Sequence, residues 1–232
     1  MALRTTLDVL GAAAHPERGA VFLASSAGGV YAGVGAPPFD EASPTRPLST
    51  YGATKLEAEK MISEWSKNCG ASVFIGRIAN LYGPGQNLDK AQGIVSQVCR
   101  GYLTGRTSFI YVSLDTIRDY LYAPDCARLI VDGLGRLRCE REGDSTVVMK
   151  ILASQRAITV GAVLGEMRRI MKGSMRIVVA KSPESSAQVR DLSLRSRTWP
   201  DLDRRTLTPF PVGVARTVAD VLRHLQRGEL VA

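Results

Sequence analysis

Residues 20–31 read AVFLASSAGGVY. The first five are apolar or small without alternation, the pattern of a strand covered on both faces. The run ends on Ser25 and Ser26, and Ala-Gly-Gly follows, where a chain can turn. A second run of this kind, SVFIGR, spans 72–77, and others lie at 108–112, 146–152 and 175–180. Helical spacing fills the gaps. Residues 3–14 put Leu3, Leu7, Leu10 and Ala14 on one face, and residues 50–66 place Leu56, Met61 and Trp65 behind an N-cap at Ser49 or Thr50. Stretches 91–103, 123–137, 159–172 and 212–227 also read as helices. Thr159 is an N-cap, Gly173 a C-terminal stop and Pro211 a first-turn residue. Strands alternating with helices predict an α/β fold with a mostly parallel sheet. The Pro- and Gly-rich stretches 33–49 and 82–87 read as loops.

Composition narrows the class. The chain has 232 residues, 45% of them hydrophobic, and a mean hydropathy of −0.01. That excludes a disordered tail, a collagen-like chain and a coiled coil. No stretch approaches the roughly 20 apolar residues of a membrane span. The start, MALRTTLDVLGAAAHPERGA, reads as a helix and not a signal peptide, because Asp8 interrupts its apolar run. The expected location is cytoplasmic. Cys69, Cys99, Cys126 and Cys139 form no CxxC pair, and only His15 and His224 could assist them, so free thiols and no metal site are expected.

Net charge is +8, and 20 of the 30 basic residues lie in 117–232. They are scattered, aromatics are only 6%, and no basic stripe carries interleaved stacking rings. This reads as a solvated Arg-rich surface, or as a few arginines serving a phosphorylated small ligand, and not as a nucleic-acid face.

Chemistry concentrates at Tyr51-Gly-Ala-Thr-Lys55. On a helix, i and i+4 share a face, so a phenol and an ammonium project together. Ser25-Ser26 ends a buried strand about 25 residues earlier, and ligands in open α/β sheets sit beyond the carboxyl ends of strands. Arg77-Ile-Ala-Asn80-Leu-Tyr82-Gly-Pro-Gly85 closes the next strand in the same way.

The blocks FLASSAGGVY (22–31), PLSTYGATKLEAE (47–59), GRIANLYGPGQ (76–86) and TIRDYLYAPDCARLIVDGL (116–134) resemble the extended short-chain dehydrogenase/reductases. The resemblance is to the NAD-dependent epimerase/dehydratases of nucleotide sugars. A weaker likeness covers the tail from Val189. The resemblance implies a partial Rossmann-like, doubly wound fold. Residues 1–152 would be the catalytic core, with 85–117 contributing to the substrate region, and 153–232 the smaller substrate-binding region. It implies that Tyr51 is the base, with Lys55⁺ and a bound nicotinamide stabilising the phenolate. A phenol needs about 3 pKa units, or about 4 kcal/mol, to ionise near pH 7. Ser26 would hydrogen-bond the reacting hydroxyl. Ser25 and Ala79 would join Tyr51 and Lys55 at NAD, and Asn80 and Arg118 would hold the nucleotide-sugar diphosphate. For Arg118 a structural salt bridge to Asp119 or Asp125 is the alternative.

Departures from the family pattern matter equally. The family's active hydroxyl lies four residues before the Tyr of the VY pair, which is Ala27 here, so the role of Ser26 is open by one residue. No carboxylate occupies the turn where the 4,6-dehydratases carry an acidic pair, which favours an epimerase or a simple reductase. Neither G-x-G-x-x-G nor G-x-x-G-x-x-G occurs. By analogy with the fold, about 100 residues of a dinucleotide-binding half would precede this sequence, leaving a sheet edge for a complementing N-terminal polypeptide to cover. A catalytically incompetent remnant or binding protein is therefore the alternative to an enzyme. The family dimerises through the helices matching 3–14 and 50–66, so a homodimer is expected. A second phosphate-pairing Arg is not evident in 181–190.

Overall fold

The computed structural model describes residues 2–13, 15–88, 93–140, 145–180 and 189–229. In chain order the elements are α1 (Ala2–Gly11), β1 (Ala20–Ser26), α2 (Ala27–Tyr31), α3 (Thr50–Cys69), β2 (Ser72–Ile78), β3 (Asn80–Tyr82), α4 (Ile94–Thr104), β4 (Ser108–Ile110), β5 (Ile117–Arg118), β6 (Tyr120–Tyr122), α5 (Ala123–Cys139), β7 (Val147–Leu152), β8 (Ile158–Thr159), α6 (Val160–Met171), β9 (Ile177–Val179), β10 (Asp191–Leu192) and α7 (Phe210–Gln226).

The central sheet is parallel, in the order β1-β2-β7. β2 lies in the middle and is buried from Ser72 to Arg77, as its unbroken apolar run demands. Alternation sends Val73 and Ile75 to one face and Phe74 to the other. On the first face they pack with Leu7 of α1 and Ile62 of α3, and on the second Phe74 packs with Leu129 and Leu137 of α5. Gly133 lets α5 lie against the Phe74 ring, which would collide with a side chain there. The sheet is thus sandwiched between helices, an α/β arrangement with a parallel sheet.

A second hydrophobic cluster joins α4, α6 and α7. Val98, Val163, Met167, Val214 and Val221 are buried there, and Tyr82 and Tyr122 reach it from β3 and β6. Around it β3 pairs with β6 and β4 with β9, while β5 lies between β10 and β8. No helix among the described residues is long and apolar enough to cross a membrane.

Helix ends follow local chemistry. Ser49 Oγ accepts from the Gly52 N–H (3.1 Å) and Thr159 Oγ1 from the Ala162 N–H (3.1 Å), so both are N-caps. α6 stops earlier than Gly173 implies, because Lys172 itself takes the left-handed conformation (φ 52°). Leu10 is 37% exposed and does not share the burial of Leu7. Ala14, and residues 91 and 92 of the expected fourth helix, lie outside the described residues.

The loop between α2 and α3 is tied to the C-terminal segment. The Phe39 N–H donates to Ser193 O (2.9 Å), and the Arg195 N–H to Phe39 O (2.8 Å). Glu41 accepts from the Ile151 N–H (2.9 Å), the Ser196 hydroxyl (2.7 Å) and the Arg197 N–H (2.8 Å). Beside it Lys150 is wholly buried and donates to Ser196 Oγ, Thr198 O and Asp203 Oδ2, each at 2.7 Å. Among the described residues β1 has a strand partner on its β2 side only. The Ser72 N–H donates to Gly19 O, so alternation turns the backbone groups of Phe22 and Ala24 toward the other, open side.

Candidate active site

The carboxyl ends of β1 and β2 gather most of the residues singled out from sequence. β1 runs straight into α2, and Ser26 is the junction: its Oγ accepts from the Gly29 N–H at 3.2 Å, leaving the hydroxyl proton to donate outward. Ala27 is fully buried in the apolar cluster of Val30, Tyr31 and Phe39, so it faces no ligand.

Gly29 lies between Ser26 and Tyr51. A Cβ placed there would stand 3.3 Å from Ser26 Oγ, from Tyr51 Cε1 and from Gly52 Cα. Gly29 and Gly52 therefore let α2 and α3 approach closely enough for the hydroxyl and the phenol ring to border one gap. Lys55 Nζ stands 5.6 Å from the centre of the Tyr51 ring and donates to Ala24 O at 2.9 Å. Tyr51 is 58% exposed.

Ser26 is in register with Ile78 of β2, so Ala79 and Asn80 follow immediately beside it. The Ala79 N–H donates to Leu152 O (2.9 Å). Asn80 donates to Asp119 O through both its backbone N–H (3.0 Å) and its Nδ2 (3.1 Å). That bond joins Asn80 to the β5–β6 stretch carrying Arg118. The Arg118 guanidinium donates to Ile117 O (2.7 Å) and Arg190 O (3.4 Å), and burial pulls its pKa down, opposed by Tyr120 and Asp191. A guanidinium short of solvation gains most from an anionic partner. Asp119 accepts the N–H groups of Ser154 (2.7 Å) and Arg156 (3.2 Å), and Asp125 accepts from Thr208 N (2.7 Å) and pairs with Arg128.

Ser25 points the other way. Its hydroxyl donates to Glu59, and it is buried. Arg77 clasps the same carboxylate with two bonds, Nε to Oε1 (3.1 Å) and NH2 to Oε2 (2.8 Å). Its NH1 donates to Tyr31 Oη (2.7 Å), and that phenol donates to Asp40 O (2.8 Å). Burial works against the Arg77 charge, but Glu59 and Tyr31 outweigh it and raise the pKa, while burial raises that of Tyr31. Sequence reading did not single out Glu59, although it follows Lys55 by four residues in a quoted block, and Arg77 opens another. That spacing was the available signal.

Of a dinucleotide, these residues could hold the nicotinamide–ribose end. The ammonium and phenol share one helix face at the carboxyl ends of parallel strands, and Gly29 packs against the phenol ring. The described strand-to-helix turns offer no glycine-rich cradle for a pyrophosphate.

The model of the NAD dependent epimerase/dehydratase family matches residues 2–147. The chain belongs to that family. It is 30% identical over 122 residues to dTDP-glucose 4,6-dehydratase of Mycobacterium tuberculosis, covering 49% of this chain and 36% of that protein. It is 32% identical over 108 residues to a putative UDP-glucose 4-epimerase of Methanocaldococcus jannaschii, covering 47% of this chain and 35% of that protein. The matches thus span about a third of these curated relatives. Among solved structures, MoeE5 with UDP-glucuronic acid and NAD superposes with a TM-score of 0.79 at 24% identity, over 96% of this chain and 70% of that one. UDP-glucose 4-epimerase of Thermotoga maritima gives 0.78 at 20% identity, over 96% and 67%. The fold is that of the Rossmann-type epimerases.

Proposed function

We propose that this chain carries the catalytic and sugar-binding part of an NAD-dependent nucleotide-sugar epimerase or oxidoreductase. The observation that supports it is that Ser26 and Tyr51 meet at Gly29 while Lys55 stands over the Tyr51 ring. Tyr51 takes the proton of a sugar hydroxyl, and Ser26, whose Oγ accepts from Gly29, donates a hydrogen bond to the same oxygen. Lys55⁺ lowers the cost of a negative charge on the phenol. NAD, when bound, supplies the acceptor for the hydride that leaves the adjacent carbon. Lys55, Tyr51 and Ala79 would border its nicotinamide–ribose end. Asn80 and Arg118 would hold the diphosphate, Arg118 through charge-assisted bonds from its planar guanidinium. Ser25 stands apart from this set, because its hydroxyl is committed to Glu59.

Epimerase is favoured over dehydratase because the turn after Ser26 is Ala-Gly-Gly, with no carboxylate to eliminate water. Self-association through α1 and α3, which pack together with Val9 of α1 68% exposed, is part of the same reading. Sizing chromatography tests it.

The alternative is a protein that binds a nucleotide sugar without turning it over, and the solvent exposure of Tyr51 favours it. Two measurements separate the readings. NADH is titrated into the chain by nicotinamide fluorescence, with UDP- and dTDP-hexoses then assayed for turnover. Tyr51→Phe is assayed beside it. Saturable NADH binding and turnover that collapses in the variant support the enzyme; sugar-nucleotide binding with no NADH binding supports the alternative.

A further inference from the structure

Ser25, Tyr31, Glu59 and Arg77 come from β1, α2, α3 and β2, and they form one hydrogen-bonded buried set. Each stands next to a group of the proposed site. Ser25 precedes Ser26. Tyr31 lies in the helix that Ser26 caps. Glu59 continues the four-residue stripe Tyr51, Lys55, Glu59 along α3. Arg77 lies two residues before Ala79. Both side chains of the Glu59–Arg77 pair are about 95% withdrawn from solvent, at 6% and 5% exposure.

A buried ion pair is a poor way to gain stability, since apolar residues of similar volume usually hold an interior as well or better. What a bidentate fork adds is geometry: two parallel bonds fix both the rotation and the axial position of one element against another. Here the elements fixed are the helix carrying Tyr51 and Lys55 and the two strands that end at Ser26 and Ile78.

We propose that Glu59 and Arg77 are positioning residues that set the register of α3 against β1 and β2, and so the placement of Lys55 and Tyr51 over the carboxyl end of β1. The claim rests on the reading of that site as catalytic. The test does not depend on turnover.

The placement has a local reporter, because Lys55 donates to Ala24 O across the α3–β1 junction, whereas Lys60 on the same helix is exposed. Competitive acetylation with mass spectrometry reads the labelling of Lys55 relative to Lys60 in wild type and in Glu59→Met/Arg77→Met. If the pair positions α3, the double variant unfolds at a temperature close to wild type, yet its Lys55/Lys60 ratio rises by about tenfold, the factor one charge-assisted hydrogen bond supplies. A folded double variant with an unchanged ratio overturns the proposal, since the pair would then be mere packing. If that variant does not fold, Arg77→Lys decides: it keeps a positive charge beside Glu59 but cannot form the two-bond fork. A raised ratio there supports the proposal, and an unchanged one overturns it. Labelling needs neither NAD nor sugar, so failure of the enzyme reading appears separately, as wild type without turnover.

Discussion

Gly29 and Gly52 meet backbone to backbone. The Gly29 carbonyl oxygen lies where a side chain on Gly52 would begin, and Pro47 Cβ would stand only 2.9 Å away. This contact sets the distance between α2 and α3 and brings Ser26 and Tyr51 to the same gap. An alanine inside a helix normally gains up to about 1 kcal/mol over glycine. At position 52 the sign reverses. Gly52→Ala should cost about 1–3 kcal/mol, because the helices must part to admit the methyl. Urea unfolding measures this, and a variant more stable than wild type would contradict the close packing.

Tyr51 makes the complementary case. It is 58% exposed, so Tyr51→Phe should change stability by no more than about 0.5 kcal/mol. If Tyr51 is the base, the same change lowers turnover by about 10²- to 10⁴-fold. Thermal unfolding and a nicotinamide absorbance assay on one preparation give both numbers. Turnover within twofold of wild type would remove Tyr51 from the chemistry.

Lys150 should be far less tolerant. Its ammonium is fully buried on β7 and holds Asp203, Ser196 and the Thr198 carbonyl. Lys150→Met leaves the half-buried Asp203 without its cation and should cost about 3–5 kcal/mol. Burial already pushes the Asp203 carboxyl up despite Lys150, so the loss should be smaller in acid, where that carboxyl protonates. Denaturant midpoints at two pH values check both statements.

Asp119 provides a pH test of its own. Burial pushes its carboxyl up, against backbone N–H groups of Ser154 and Arg156 that pull it down. The folded chain therefore holds this proton more tightly than the unfolded chain. Its contribution is fully present below the ordinary carboxylate pKa and is lost as pH rises through the raised folded value. Asparagine does not titrate. The stability advantage of wild type over Asp119→Asn should then be greatest below about pH 4 and shrink as pH rises through the raised folded value. An advantage that grows with pH would reverse the assignment.

Elements with a strong local signature were legible from sequence. The apolar runs at 20–25, 72–77 and 146–152 became β1, β2 and β7, and helical spacing located α3, α5, α6 and α7 within a few residues. The three-residue β4 and β9 fell within the runs at 108–112 and 175–180, but the two-residue strands were not legible. β5, β8 and β10 have two residues each, and only their partners from distant stretches define them. The same holds for buried charge. Lys150 sits in a run that reads as a plain strand, and its partners lie 46 to 53 residues onward. Glu41 likewise reads as one more loop residue until Ile151, Ser196 and Arg197 close on it. The motif blocks supplied Ser26, Tyr51, Lys55 and Asn80 to the proposed site. They did not show that Ser25, one residue away, turns inward to Glu59, because a strand alternates faces and one residue changes everything a side chain meets.

The open side of β1 has a consequence for handling the protein. A row of unpaired backbone groups is a template on which a second copy can lay a strand, and natural sheets blunt such rims with charge. Lys55 does so here, since its ammonium sits on the Ala24 carbonyl midway along that rim. Two copies meeting rim to rim would bring two ammonium groups together. If that side of β1 is free in solution, neutral replacements at position 55 should lower solubility, which light scattering checks before any rate is measured.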